Sequence, residues 1–107
     1  MEKSDLGDNK ANAIYTYFGE TLTAYPKDKS TAVYYEMPSV STNNTPVNIS
    51  SDNPNAQIRI YSSNGSLVSL TSGTQGSNNV KFNARRNTSY YYTVQGDLSI
   101  TFTIKQN

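Results

Sequence analysis

The chain has 107 residues, near the commonest size for one domain, and 35% of them are hydrophobic, enough for one modest core. Only 16% are charged and the net charge is +1, so no strong field exists to draw nucleic acid or anionic lipid. Neither cysteine nor histidine occurs, which excludes disulfides, thiolate or imidazole nucleophiles, and metal centres built on those ligands.

Uncharged Ser, Thr and Asn make up about a third of the residues, a composition of β-rich exported proteins, and with no cysteine it points to a bacterial secreted or cell-surface setting. Residues 1–12 carry Glu2, Lys3, Asp5, Asp8 and Lys10 with Leu6 as the sole large apolar side chain after Met1, and read as a flexible N-terminal arm. No apolar run approaches the roughly 18–20 residues that cross a bilayer, so no membrane span is expected, and an exported chain with this polar start is expected to have lost its signal peptide already.

From residue 13 to 107 apolar residues recur with period two in short runs, the pattern of half-buried strands. The runs are 13–18, 21–25, 31–37 and 46–50, bounded by Gly19, Pro26, Pro38 and Pro54. Pro46, heading its run, suggests an edge strand because it cannot donate to a ladder. Next, 57–62 and 66–71 are predicted to pair as a hairpin through Asn64-Gly65, with Ile58, Ile60, Val68 and Leu70 facing the core. After 79–84, a last hairpin joins 90–95 to 98–105 through Gly96-Asp97, and parity assigns Tyr90, Tyr92, Val94, Leu98, Ile100, Phe102 and Ile104 to the core. About eight antiparallel strands with turn signals every 8–12 residues predict an all-β sandwich, jelly-roll or immunoglobulin-like.

From Gln57 onward the order is an Ile-Arg-Ile-Tyr strand, an Asn-Gly turn, a Ser/Gly-rich loop, Val80-Lys81-Phe82, Asn87-Thr88-Ser89-Tyr90-Tyr91-Tyr92-Thr93-Val94, Gly96 and the final alternating strand. This second half resembles the bacterial pre-peptidase C-terminal domain, a jelly-roll sandwich appended to secreted peptidases and related to collagen-binding domains. The resemblance implies a jelly-roll fold and an accessory, non-catalytic role.

The chemistry left open is narrow. Glu20, Asp28, Glu36, Asp52 and Asp97 could in principle supply a carboxylate pair, but four of them sit in or beside turns and Glu36 lies on the outer face of its strand, so no enzyme is expected. Ser51, Asp52, Asn53 and Asn55 hold one carboxylate among amides and read as an Asx turn before Pro54, so no cofactor or metal is assigned. The loop 72–77 lacks the helix start and Lys-Ser/Thr pair of a phosphate cradle.

Nine tyrosines and no tryptophan remain as the distinctive feature. By parity Tyr34, Tyr61 and Tyr91 point away from the core, as do Arg59, Lys81 and Arg85; on one sheet they would form an exposed platform flanked by cations. The expected function is a monomeric, non-catalytic binding module that recognises polysaccharide or an extracellular protein through these residues. The alternatives are a free-standing secreted effector (antimicrobial, toxin-like or an enzyme inhibitor) and a structural subunit of a surface fibre or biofilm matrix.

Overall fold

A computed structural model describes residues 7–106. Eight strands follow in order: β1 (Ile14–Tyr15), β2 (Thr21–Ala24), β3 (Val33–Met37), β4 (Thr45–Ser51), β5 (Gln57–Ser62), β6 (Asn79–Ala84), β7 (Tyr90–Gln95) and β8 (Ile100–Gln106). They make two four-stranded sheets, β1-β3-β7-β5 and β2-β8-β4-β6, below called the first and second sheet. All pairings are antiparallel except β1 with β3, which is parallel. The chain alternates between sheets strand by strand after β1, as a jelly roll does. The predicted all-β sandwich is the observed fold.

The core is what period-two patterning demands. Val47, Ile49, Val80, Phe82, Ile100, Phe102 and Ile104 from the second sheet meet Tyr35, Met37, Ile58, Ile60, Tyr90, Tyr92 and Val94 from the first, all buried. Each such side chain contributes about 1.5–3 kcal/mol by leaving water. Aromatic rings knit the layers: Tyr35 stacks on Tyr92 at 5.4 Å, and both meet Phe102 edge-on at 5.0 and 6.0 Å. Thr16 is fully buried because its hydroxyl is satisfied twice, donating to the Glu36 carbonyl at 2.8 Å and sharing a bond with the Tyr92 hydroxyl at 2.9 Å.

Three expectations need correction. The two C-terminal strands are not a hairpin: β7 lies in the first sheet and β8 in the second, so Gly96 to Ser99 is a crossover. Gly96 has φ +119° and its α-carbon abuts the Asn55 carbonyl, where a Cβ would come within 1.9 Å of the oxygen. Leu98 rides on that crossover outside both layers and is 52% exposed; inward alternation resumes only at Ile100.

The strand expected over 66–71 is reduced to a single bridge, Leu67 with Tyr61. Its turn forms, with Gly65 at φ +92°, and Val68 N–H still donates to the Ile60 carbonyl at 3.1 Å. Beyond that point the Gln75 side-chain amide stands in for a strand: its Oε1 accepts from Ile60 N–H at 2.9 Å and its Nε2 donates to the carbonyls of Ile60 and Val68 at 3.2 and 2.9 Å. Ser77 and Gly76 complete the seal by bonding Ile58 N–H and its carbonyl, each at 2.9 Å. Val68 and Leu70 pack against the core as expected, from a loop instead of a strand.

Pro46 does not mark an edge, since β4 lies between β8 and β6. Ser51 N–H donates toward β6, to the Asn78 carbonyl, so by alternation Pro46 turns its missing donor toward β8. The described β8 ends at Gln106, opposite Val47. Of the predicted arm 1–12, residues 1–6 lie outside the described residues. From Gly7 the chain lies against the sandwich: the buried Gly7 accepts from Tyr34 N–H at 2.8 Å, and Lys10–Asn12 form a 3-10 turn beside β3.

Candidate functional site

The outer face of the first sheet gathers Tyr34, Tyr61 and Tyr91. Register sets Tyr15 of β1, Glu36 of β3, Tyr91 of β7 and Tyr61 of β5 in one line across the four strands. Tyr34 stands one pleat along, in line with Thr93 and Arg59. Tyr61 and Tyr91 stack at 4.9 Å with planes 10° apart, and Tyr34 and Tyr91 at 6.1 Å and 25°. The first separation equals the roughly 4.8 Å between neighbouring strands, so the rings stand upright from the sheet, face against face.

That stacking changes what the row offers. Tyr91 is flanked on both sides by rings, and all three tyrosines are half-buried, so the row is a comb of ring edges and phenol groups, not the flat exposed platform expected from parity. Burial first, and then the neighbouring phenols of Tyr61 and Tyr34, push the Tyr91 pKa up. Among the described residues, the tyrosine hydroxyls that bond within the chain are those of Tyr90 and Tyr92, both of the core.

The predicted cations are divided between the two faces. Arg59 shares the face of the tyrosines but is drawn to the border, donating to Gln57 Oε1 at 3.2 Å and lying against Gly76, where a Cβ would sit 2.9 Å from its Nη2. Lys81 on β6 faces outward from the second sheet, on the opposite side of the molecule, whereas Arg85, just past β6, lines a recess at the margin with Ser62, Leu67 and Tyr90.

Three features of the face escaped the sequence reading. Lys10 reaches over the row, its Nζ 5.3 Å from the centroid of the Tyr91 ring and donating to the Ser63 carbonyl. Lys10, Ala13, Glu36, Ser63, Ser89 and Tyr91 line a small recess there. Tyr15 and Tyr17 meet edge-on at 5.0 Å and are 47% and 61% exposed, more than any tyrosine of the stacked row. Their signal was present as alternation with Ile14, Thr16 and Phe18, but a threonine among the inward positions concealed which face was which. The sequence offered no signal for Lys10, whose position depends on a turn outside the strands.

The loop after β4 uses its own oxygens. Asn53 Oδ1 accepts from Asn55 N–H at 2.8 Å, the Asx turn predicted there, and Asn53 Nδ2 donates to Asp97 at 3.0 Å. That bond, followed by the one from Leu98 N–H, holds the Asp97 pKa below the usual carboxylate value. Among the described residues no three His, Cys, Asp or Glu side chains come together to hold a metal ion.

No family model matches the chain, and neither does any curated protein. Among solved structures it is similar to the pre-peptidase C-terminal domain of collagenase from Bacillus anthracis, with a TM-score of 0.56 and 13% identity over 87% of this chain and 94% of that one. The fold is that of a pre-peptidase C-terminal domain. The likeness takes in both halves of the chain, whereas the motifs that suggested it lie from Gln57 onward. In this pre-peptidase C-terminal fold the tyrosine row crosses three neighbouring strands, β3, β7 and β5, and is fixed by their register.

Proposed function

We propose that this chain is a non-catalytic binding module of an exported bacterial protein, which holds a polysaccharide or an extracellular protein on its tyrosine row. The observation that carries the reading is the stacked line Tyr34, Tyr91, Tyr61, three rigid side chains with polar tips on one sheet face. Rings held by their neighbours lose little conformational freedom when a ligand arrives, which lowers the cost of association. The absence of His and Cys from the sequence and the internal use of the Asn53 loop oxygens favour binding over catalysis. So does the similarity in fold to a domain of a collagenase that is named apart from its peptidase.

The test is retention of the purified domain on insoluble glycans and on fibrous extracellular protein. Tyr61→Ala combined with Tyr91→Ala is expected to abolish retention while leaving the far-ultraviolet circular dichroism and a cooperative melt in place. Retention equal to that of the unaltered chain on the same matrix overturns the reading.

A further inference from the structure

The tyrosine face already contains a cation, and its position shows what the face takes. The Lys10 ammonium sits over Tyr91 within the roughly 6 Å range of a cation–π contact and is further held by the Ser63 carbonyl. Both come from far along the chain, so Lys10 is an intramolecular guest on a surface built by β3, β5 and β7.

Beside it, Glu36 supplies the complementary charge. It is exposed on the outer face of β3, and register places it directly between Tyr15 and Tyr91, with Tyr34 two residues before it on the same face. Directly opposed residues of antiparallel strands have Cβ atoms about 4.5–5.5 Å apart, so the carboxylate stands beside the Tyr91 ring. Glu36, Tyr91 and Lys10 line the same recess, with the hydroxyl-bearing Ser63 and Ser89 on its walls. A carboxylate beside an aromatic ring favours a cation on a slender apolar stem, since the stem packs on the ring while the charge meets both the ring quadrupole and the carboxylate.

From this the geometry points to an alkylammonium subsite within the tyrosine row, in which Glu36 selects lysine side chains of a protein partner and Lys10 occupies the place of one of them until the partner displaces it. The inference rests on the binding role proposed above and deepens it: it makes the partner a protein with accessible lysines, and makes Lys10 a competitor of that partner instead of a contact to it.

The experiment is calorimetric titration of the described fold, as the full chain, with oligolysine, with chitosan oligomers that present an amine directly on a sugar ring, and with oligoglutamate. Lys10→Ala is expected to tighten oligolysine binding, and Glu36→Gln to weaken it, each by about three- to tenfold at low salt. Chitosan is expected to bind more weakly than oligolysine and oligoglutamate not at all. Weaker or unchanged oligolysine binding by Lys10→Ala overturns the competitor role, and unchanged binding by Glu36→Gln overturns the subsite. Preference for chitosan reassigns the amine to a sugar and overturns the protein partner. If the Tyr61 and Tyr91 double variant loses retention on its matrix while these cation arms fail, the subsite alone falls and the binding face stands.

Discussion

The two outer faces of the sandwich are built by the same pleat from opposite materials. On the second sheet several outward residues are hydroxyls and amides that satisfy one another, beside the outward Lys81 and Lys105. Thr21 pairs with Thr103 and Thr23 with Thr101, each through hydroxyls 3.0 Å apart, and Asn48 Nδ2 donates to Asn79 Oδ1 and the Val80 carbonyl at 2.8 and 2.9 Å. On the first sheet the outward residues are rings that stack and leave their phenol tips uncommitted to the rest of the described chain. A face whose polar groups are paired internally has little to gain from a ligand, whereas the tyrosine face presents phenol groups and the exposed Glu36 carboxylate. The proposed binding role therefore rests on which cross-strand pairs are closed, not on which side chains are merely exposed.

The contrast depends first on the crossover that sends β7 and β8 to different sheets. Gly96→Ala places a Cβ into the Asn55 carbonyl and forces a positive φ on an L-residue, and is expected to destabilise the fold by about 3 kcal/mol or more, measured by urea unfolding. A variant as stable as the parent would show that the crossover can re-form another way.

The next effect is of alkali on the layer between the faces. Burial pushes Tyr35 up to about 12 and raises Tyr92 as well, while an unfolded phenol ionises near 10. The fold thus favours the neutral phenols; their contribution is complete below about pH 10 and is lost as pH rises from there through the folded-state values. Cooperative alkaline unfolding is expected, with part of the tyrosinate absorbance appearing only as circular dichroism is lost. Tyr92→Phe should cost about 1 kcal/mol at neutral pH by breaking the bond to Thr16 and should make the alkaline transition shallower. Ionisation of all nine tyrosines with the structure intact would contradict this account.

The smallest effect sharpens the comparison most. Thr23→Ala on the second sheet removes one closed hydroxyl pair and is expected to cost about 0.5 kcal/mol or less, with retention on the matrix of the tyrosine experiment unchanged. Lost retention would mean that the threonine face also takes part in binding.

Much of this was legible in the sequence, for identifiable reasons. Period-two alternation located the runs that became β3, β5, β6 and β7, because each puts its apolar side chains on one face, although the outward Thr93 of β7 is buried as well, and parity correctly separated Tyr91 from Tyr90 and Tyr92. Parity says which way a residue faces but not from which sheet, and so it could not tell that Lys81 looks away from the tyrosines while Arg59 does not. Adjacency in sequence suggested hairpins at Gly96-Asp97 and Asn64-Gly65. Only the second closed, and then by one bridge, because a jelly roll moves consecutive strands between layers and because a glutamine amide took the place of a strand. Whether neighbouring rings stack face to face depends on register, which a single strand does not encode.

The border made by Gln75, Ser77 and Gly76 gives the tyrosine row a beginning and an open end. At β5 the sheet is closed, so the line that starts at Tyr61 cannot be lengthened by a further strand on that side. At the opposite margin β1 is two residues long and carries the exposed Tyr15 and Tyr17. The aromatic line is therefore asymmetric along its length, ending against a strand edge sealed by polar bonds on one side and in exposed rings on the other.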